Sequence, residues 1–589
     1  FGKQAERPRW GRAHMWRLRT YVKPYLATIV TVMALVFLEV MATLKLPDLM
    51  SDIVDQGIAR GNIPLIWSTG GIMLAVALAG VLCAVAGNFL ASRASTRFGR
   101  DLRFDIFSKV GKFAPREFNK FGTASLITRT TNDVQQVQQI FHMSMRMAMR
   151  APLMAVGGVL MVVRKDSNLA LILLGLIPVI GLVITYVIVK GVPLFKSLQK
   201  KLDRLNLVLR EQLMGVRVIR AFDRGSREQE RFDDSNRDLT ETALKVNRLM
   251  VTLLPLLGLI VNFTNIVIIW FAARRIDLGA MQVGDLMAFL QYTMQVFMAV
   301  MMLSMIFVML PRASASAERI IEVLDTEVSI TDPKEPETIE SNLGIVRFED
   351  VTFSYPGAAK PVLSNITFTA HPGQTTAIIG GTGSGKSTIL DLIPRFHDPE
   401  EGQITLDGVD IRSLTQRELR SRLGYVPQKA VLFSGTVASN IRGGKQDATD
   451  EEVMEAARVA QATEFIKERD DGYESYISQG GTNVSGGQKQ RLSIARAVVR
   501  KPKVYLLDDT FSALDYKTDA RLRTDLAKSA ENATIIVVAQ RVSTIFHADQ
   551  IIVLDEGKIV GQGTHETLSR DCAVYQEIVA SQFGEEAVS

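Results

Sequence analysis

Cysteine is scarce in this chain of 589 residues, which contains only Cys83 and Cys572. With two cysteines so far apart in the sequence, neither a disulfide framework nor a thiolate metal site is expected. The net charge of +6 is small for this length. No basic patch with interleaved aromatic residues occurs, so no nucleic-acid partner is expected. Charged residues make up 22% of the chain and apolar residues 47%, which predicts that part of it lies in a lipid bilayer.

Six apolar stretches are long enough to cross a membrane as helices, since a span needs about 20 mainly apolar residues. Two of the connections between them are long and rich in Lys and Arg, whereas the other three are short. By the positive-inside rule, we expect a multi-pass protein of the cell membrane, inner or plasma, with both termini and both long loops in the cytoplasm. The predicted spans are residues 25–46, 65–91, 143–163, 169–190, 250–273 and 286–310.

The sequence changes character after the sixth span. A polar, proline-containing segment, "TEVSITDPKEPETIESN", is followed by β-branched strand patterns and helix patterns that are typical of a soluble α/β domain. The predicted organisation is a transmembrane domain over 1–325, a linker over 326–343 and an α/β domain over 344–583.

The string "TTAIIGGTGSGKSTIL", residues 375–390, indicates a strand, a glycine-rich turn and the start of a helix. Its spacing is that of a phosphate-binding loop, in which glycines let backbone N–H groups approach phosphate oxygens and the helix N-terminus adds its dipole. We expect Lys386 to reach the β and γ phosphates and Ser387 to ligate Mg²⁺. The expected nucleotide-binding residues of this loop are Gly380, Thr382, Gly383, Ser384, Gly385, Lys386, Ser387 and Thr388.

Three further stretches add to this chemistry. In "KVYLLDDTFSALD", an apolar strand ends at Asp508, where the second acidic Mg²⁺ ligand of a P-loop fold is expected. In "NVSGGQKQRLSIARAVV", Ser485 and the two glycines after it start a helix, a second anion-binding end that the chain's own loop does not need. In "VTFSYPG", Tyr355 is placed in the sequence to stack on an adenine.

Together these motifs resemble the ATP-binding cassette (ABC) family, and with six preceding spans the chain is similar to a bacterial, multidrug-like ABC exporter half-transporter. The resemblance implies a membrane all-α domain, six transmembrane helices with long cytoplasmic extensions, followed by an α/β P-loop ATP-binding cassette domain, with ATP and Mg²⁺ as cofactors. By the same resemblance, Gln428 in "GYVPQKAVLFSGTV" touches Mg²⁺ and Asp515 in "SALD" couples two sites. It also implies a dimer with a second half-transporter, in which each ATP lies between one subunit's phosphate loop and the other's signature, here Ser485, Gly486, Gly487 and Gln488.

Two positions around the expected γ-phosphate depart from the family pattern. Asp509 stands where the family normally has Glu, which orients or activates the attacking water, and Gln540 stands where it normally has His. Aspartate is one methylene shorter, and displacing a positioned group by about 1 Å can cost on the order of 10²-fold in rate. Glutamine cannot carry a proton or a positive charge. We therefore expect the chain's own site to bind ATP and hydrolyse it slowly. Gln479 likewise replaces a Glu that usually precedes the signature.

The leading hypothesis is one subunit of a heterodimeric exporter of amphipathic or drug-like compounds or lipids, with this chain contributing the degenerate site. Two alternatives stay open. One is a homodimer with two slow sites, and the other is a nucleotide-gated regulatory or channel-forming subunit. The intact signature argues against the second, because a purely regulatory chain does not need to complete a partner's active site.

Candidate substrate contacts lie within the spans. Glu39 is near the middle of the first span, where an ionised group is costly and is often functional. If Glu39 faces a substrate, its charge favours cationic compounds; a protonated or helix-bonded carboxyl is the alternative. The sixth span carries methionines close to a helical stripe, among them Met298 and Met305. Methionine adapts to varied apolar shapes, so a promiscuous substrate wall is one interpretation and helix packing the other.

Overall fold

Long helices form the first half of the chain in a computed structural model that describes residues 18–583. Within this range, six helices are long and apolar enough to cross a bilayer, and each contains one predicted span. The predicted membrane all-α domain is therefore confirmed. Residues 1–17, which hold most of the basic N-terminal stretch, lie outside the described residues. The helices up to residue 325 are α1 (Arg19–Ile58), α2 (Ile63–Val110), α3 (Pro115–Phe121), α4 (Thr123–Lys165), α5 (Ser167–Met214), α6 (Val216–Ala221), α7 (Gly225–Asp277) and α8 (Val283–Asp325).

The surface of these helices explains why the chain needs a bilayer. Only 6% of the most apolar stretch of α2 is buried, and Leu74, Leu82 and Phe89 on this helix are more than half exposed. An exposed apolar surface of this size is unfavourable in water, but it is what a spanning helix presents to lipid. The chain is accordingly a multi-pass membrane protein.

Ion pairs tie α1, α4 and α8 together near their ends. Lys165, at the end of α4, pairs with Asp48 of α1 at 3.1 Å and with Asp285 of α8 at 2.8 Å. Near the other end of α4, the buried Asp133 accepts a hydrogen bond from Nε of Arg319 on α8 at 2.7 Å. A carboxylate withdrawn from water needs such a partner to stay ionised. Ion pairs thus join α4 to α8 near both ends of α4, and join α4 to α1 at the Lys165 end.

The chain divides into two compact units, and they differ at one point from the predicted domains. Among the described residues, the first unit contains 18–110 and 124–325, and the second contains 111–123 and 326–583. The segment 111–123 therefore lies in the second unit, although the predicted boundaries place it in the transmembrane domain. Its helix α3 has only seven residues and carries Arg116 and Lys120. A helix this short and polar cannot span a bilayer.

The second unit is an α/β domain, as predicted. Its strands are β1 (Val346–Phe353), β2 (Leu363–Ala370), β3 (Thr375–Gly380), β4 (Glu401–Leu406), β5 (Val409–Asp410), β6 (Leu423–Val426), β7 (Gly435–Thr436), β8 (Tyr476–Ile477), β9 (Val504–Asp508), β10 (Thr534–Val538), β11 (Gln550–Asp555) and β12 (Lys558–Gly563). Its helices after β3 are α9 (Lys386–Leu392), α10 (Gln416–Ser421), α11 (Val437–Arg442), α12 (Asp450–Val459), α13 (Thr463–Lys467), α14 (Gly486–Val498), α15 (Tyr516–Ser529), α16 (Val542–Ile545), α17 (His565–Asp571) and α18 (Ala573–Phe583).

Two sheets organise this unit. The larger has the order β12-β11-β3-β10-β9-β6 and is parallel except for β12, which pairs antiparallel with β11. The other has the order β2-β1-β4-β5 and is antiparallel, while β7 and β8 pair with each other. Every residue of β9 and β10 is buried. Continuous burial of this kind is typical of parallel strands that are covered on both faces.

The parallel sheet brings the ends of three strands to one edge. Strand β10 lies between β3 and β9, and Val538 is in register with both Ile378 and Asp508. Ligands of parallel α/β sheets bind at the carboxyl ends of the strands. The loops after β3, β9 and β10 therefore form one candidate site.

Gly158 provides a test of the packing between α4 and α8. A Cβ at Gly158 would lie 2.6 Å from Cγ2 of Val296, whereas a Cβ at Gly175 of α5 would meet no atom within 4 Å. Val296 is β-branched and has few alternative rotamers. We expect Gly158→Ala to destabilise the fold by about 1–3 kcal/mol and Gly175→Ala to have little effect. Thermal unfolding of both variants in the same detergent measures this difference, and equal midpoints would contradict the close approach of α4 and α8.

Candidate nucleotide-binding site

The phosphate loop connects β3 to α9. Gly383 and Gly385 have φ angles of +83° and +95°, which L side chains rarely adopt. At Gly385 a Cβ would also lie 2.6 Å from Cδ2 of Leu363, so both backbone conformation and space require glycine there. Lys386, the first residue of α9, folds back over the loop and donates to the carbonyls of Gly380 at 2.9 Å and Gly381 at 2.6 Å. Burial lowers the pKa of the Lys386 ammonium.

Ser387 and Asp508 form a pair of oxygen ligands beside this loop. Asp508 is buried at the end of β9 and accepts a hydrogen bond from Oγ of Ser387 at 3.0 Å. Burial raises the pKa of the Asp508 carboxyl. A hydroxyl and a carboxylate this close suit Mg²⁺, which takes hard oxygen ligands and is usually held by one or two carboxylates together with substrate phosphates. Residues 18–583 contain no cluster of three or more His, Cys, Asp or Glu side chains that could hold a metal alone. The pair therefore fits a nucleotide-bound Mg²⁺.

Asp509, Gln540 and Gln428 converge at the same edge of the sheet. One carboxylate oxygen of Asp509, Oδ2, accepts from Nε2 of Gln540 at 2.7 Å and from Nε2 of Gln428 at 3.4 Å. Asp509 itself has a φ of +43°, held by its N–H bond to the carbonyl of Val538 at 3.0 Å. The resemblance placed Asp509 and Gln540 near the γ-phosphate and Gln428 at Mg²⁺, each separately. Their mutual hydrogen bonds could not be read from the sequence, because they depend on the register of three strands.

Tyr355 is fixed beside the phosphate loop. Its ring lies edge-on to Phe353, with centroids 5.0 Å apart, and to His397 at 5.4 Å. Its hydroxyl lies 3.2 Å from Oγ1 of Thr388 on α9. About a third of the residue remains exposed, at 37%. This placement is compatible with a base-stacking surface, which stays a prediction. Sequence reasoning missed Phe353 and His397 as residues that orient the ring.

The signature residues begin α14. Ser485 is the N-cap: its Oγ accepts the N–H of Gln488 at 3.3 Å, and Oε1 of Gln488 accepts the N–H of Ser485 at 2.9 Å. This capping box gives hydrogen-bond partners to the N–H groups of Ser485 and Gln488. The N–H groups of Gly486 and Gly487 have no partner inside the helix. Among the hydrogen bonds of residues 18–583, none joins these four residues to the chain's own phosphate loop.

Asp515 and Gln479 lie on either side of the signature helix in the sequence. Asp515 is the N-cap of α15 and accepts the N–H of Thr518 at 3.0 Å. Hydrogen bonding with the side chain and backbone of Thr518 lowers the pKa of the Asp515 carboxyl. Gln479 begins a short 3₁₀ turn, Gln479–Gly481. The structure thus gives Asp515 a capping role, while its coupling role stays a prediction.

The substrate candidates lie in the other unit. Glu39 is buried, and its carboxylate faces two guanidinium groups, with Oε1 2.8 Å from Arg150 and Oε2 3.8 Å from Arg146. It is therefore ion-paired rather than bonded to its own helix. Met298 and Met305 are about half exposed, at 46% and 55%, so packing within this chain does not cover them. Sequence reasoning missed the arginines, although two of them one helical turn apart inside a predicted span were a signal.

Comparisons with known proteins agree with this division of the chain. A model described as the ABC transporter transmembrane region matches residues 26–300, and a model described as ABC transporter matches residues 363–512. An uncharacterised ABC transporter ATP-binding protein of Mycobacterium tuberculosis is 45% identical over 96% of this chain and 97% of its own length. An ATP-dependent lipid A-core flippase of Chromobacterium violaceum is 30% identical over 97% of each chain. A solved bacterial Atm1-family ABC exporter with ATP bound is 26% identical, with a TM-score of 0.76, over 96% of this chain and 98% of that one.

Gly385 and Gly381 form a matched pair for testing the phosphate loop. A Cβ at Gly381 would meet no atom within 4 Å, in contrast to the contacts at Gly385. A non-glycine residue in the left-handed region costs about 1–2 kcal/mol before any clash is counted. We expect Gly385→Ala to weaken ATP binding by roughly tenfold or more and Gly381→Ala to change it little. Equilibrium binding of a fluorescent ATP analogue to the purified variants measures this, and equal affinities would contradict the assigned loop geometry.

Proposed function

The chain belongs to the ABC transporter family, as an exporter half-transporter with both domains in one polypeptide, and on that basis we propose that it is one subunit of a heterodimeric exporter. Its own phosphate loop binds ATP with Mg²⁺ and hydrolyses it slowly. Its signature residues complete the faster site, which is built on the partner's phosphate loop. The transported compounds are amphipathic molecules, drug-like compounds or lipids.

The hydrogen bond between Gln540 and Asp509, at 2.7 Å, is the observation that carries this proposal. Family members normally have Glu and His at these two positions. Here Asp509, one methylene shorter than Glu, accepts hydrogen bonds at its Oδ2 from the side-chain amides of Gln540 and Gln428. That oxygen is less able to accept a proton from water, and the amide of Gln540 cannot carry a proton or a charge to the γ-phosphate. Both changes act on the same step, the activation of water.

The remaining residues of the site retain the groups that are needed to bind ATP and Mg²⁺. Lys386 and the backbone of the phosphate loop lie where they can hold phosphate oxygens, and Ser387 with Asp508 would hold Mg²⁺. Mg²⁺, when bound, would neutralise charge on the phosphates and orient them. Asp509 and Gln540 would then orient a water molecule weakly. Binding with slow turnover follows from this combination.

Two surfaces of the chain favour the presence of a partner subunit. The N–H groups that start α14 can receive phosphate from a second chain's nucleotide, since a helix N-terminus favours anions. Around α6, in the second cytoplasmic loop predicted from the sequence, Met214, Val218 and Phe222 are exposed at 81%, 61% and 72%. These apolar side chains would face water in the absence of a covering surface. A second half-transporter supplies one.

Replacing Lys386 and Ser485 separately tests which site does the chemistry. Lys386→Ala should weaken nucleotide binding at the slow site only, so the ATPase activity of the assembled transporter should persist at a reduced level. Ser485→Ala removes a positioned group at the partner's site and should lower activity by on the order of 10²-fold, as for other groups that favour the transition state. The measurement is steady-state ATPase activity of the complex purified from its membrane.

Two outcomes would contradict the heterodimer. If the Lys386 variant is inactive while the Ser485 variant keeps most of its turnover, this chain carries the working site. If the chain purified alone hydrolyses ATP as fast as any complex that contains it, a homodimer replaces the proposal. ATP binding without any ATP-driven transport would instead favour a regulatory or channel-forming subunit.

Restoring the family residues tests the cause of slow turnover. Asp509→Glu combined with Gln540→His should raise single-turnover hydrolysis at this chain's site, by up to about 10²-fold if misplacement of the base is the main defect. The control is the same pair in a Lys386→Ala background, where no increase is expected. An unchanged rate in the double variant would show that Asp509 and Gln540 do not limit hydrolysis.

A further inference from the structure

A cluster of charged and polar side chains joins the first three spanning helices. Glu39 of α1 lies 2.8 Å from Nη1 of Arg150 and 3.8 Å from Nη2 of Arg146, both on α4. Arg146 also donates through Nη1 to Oδ1 of Asn88 on α2 at 2.9 Å. We call these four residues the arginine cluster. They come from three helices, and none of them takes part in the nucleotide site.

Glu39 and Arg150 of the arginine cluster lie within the hydrocarbon region, and Arg146, nineteen residues or roughly 28 Å from Lys165, lies near its cytoplasmic boundary. Lys165 and Asp48, which pair with each other, mark the end of the bundle opposite the cytoplasmic loops. Glu39 is nine residues from Asp48, or roughly 14 Å along the helix, and Arg150 is fifteen residues from Lys165, or roughly 22 Å, at about 1.5 Å per residue. The hydrocarbon core of a bilayer is about 30 Å thick. Ionised groups at this depth are costly and mark functional sites by default.

The cluster holds two positive charges and one negative charge, so it has a surplus of one positive charge. Two guanidinium groups offer ten N–H donors, of which the carboxylate of Glu39 and the amide oxygen of Asn88 take only a few. Nε of Arg146 is buried and has no hydrogen-bond partner among residues 18–583. The side chains of Arg146 and Arg150 are 23% and 29% exposed, so a ligand can reach them.

A second cluster of charged side chains, on α1, α4 and α8, is not positive. There Lys45 and Lys165 pair with Asp48, Lys165 also pairs with Asp285, and Asp55 receives the N–H of Gly284 at 2.6 Å. This cluster has three aspartates and two lysines, so each positive charge has a negative partner, as expected of ion pairs that only stabilise the fold. In the arginine cluster the described residues do not supply the second anion.

We propose that the arginine cluster binds the anionic headgroup of an amphipathic substrate, a phosphate, sulfonate or carboxylate group, with Arg146 and Arg150 as the contacting residues and Glu39 as the carboxylate that competes with the ligand for them. Guanidinium groups bind such oxyanions through paired, charge-assisted hydrogen bonds. This reverses the preference for cations that Glu39 alone predicts from the sequence. The inference rests on the proposed transport function only in calling the ligand a substrate.

The experiment measures binding without nucleotide, so that it is independent of ATP-driven transport. The full chain, purified in the assembly that it forms, is placed in phosphatidylcholine nanodiscs and titrated with dodecyl phosphate or dodecyltrimethylammonium. Because hydrogen bonds to charged groups are among the stronger ones, we expect dodecyl phosphate to bind at least about tenfold more tightly. Arg146→Gln combined with Arg150→Gln should remove that preference.

Three further variants separate a binding site from a structural ion pair. Glu39→Gln should tighten dodecyl phosphate binding, because it removes the competing carboxylate. Arg164→Gln, at an exposed arginine of the same helix, is the matched control and should change nothing. The triple variant Glu39→Gln, Arg146→Gln, Arg150→Gln leaves no unpaired charge to disturb folding, and it should bind both probes alike.

Three results would overturn the proposal. They are the absence of a preference for dodecyl phosphate in the wild-type chain, a preference that persists in the triple variant, and weaker dodecyl phosphate binding in Glu39→Gln.

A second titration, in nanodiscs that contain phosphatidylglycerol, identifies the source of the ligand. Competition by this lipid indicates an acidic lipid of the bilayer, and unchanged binding of dodecyl phosphate indicates a free amphiphile. If the preference is present but no ATP-driven transport occurs, the proposed function fails and this site stands. If transport occurs without the preference, the site fails alone.

Discussion

The register between β3, β10 and β9 is the constraint on which the nucleotide site depends. Because Val538 pairs with both Ile378 and Asp508, the three strands end together, and the residues that follow them share one edge of the sheet. The hydrogen bonds from Ser387 to Asp508 and from Gln540 to Asp509 exist only in this register. A slip of one residue would turn each side chain to the other face of the sheet. The buried strands, which contain no charged residue before Asp508, hold the register by packing on both faces.

The sequence was informative where chemistry is encoded locally. A glycine-rich turn between a strand and a helix, and acids at the end of an apolar strand, are signals within a few residues, so the phosphate loop and the Ser387–Asp508 pair could be predicted. Apolar length alone was sufficient for the six spanning helices. The start of a helix at Ser485 was predicted as well, although its capping box with Gln488 was not.

What could not be predicted depends on contacts between distant segments. Glu39 was identified as costly in lipid, but its partners lie more than 100 residues away on α4, and only packing of α1 against α4 brings them together. The same holds for the two glutamines that share Asp509. The position of 111–123 in the second unit was also not predicted, because a segment between two spans is assigned by default to the domain that surrounds it.

Under the proposed heterodimer, the departures at Asp509 and Gln540 separate two tasks that one ATP site normally combines. Holding nucleotide requires phosphate contacts, Mg²⁺ ligands and a surface for the base, and the residues that we propose for these roles lie close to one another in this chain. Turnover additionally requires a base at the right distance from water. The Asp509 carboxylate would serve poorly as this base, because its side chain is one methylene shorter than that of Glu and its Oδ2 already accepts two hydrogen bonds. A site that retains ATP between cycles would keep its half of the dimer closed while the partner's site opens and closes. Conformational change would then be driven from one site only, and the signature residues of this chain, rather than its own phosphate loop, would carry its contribution to the rate.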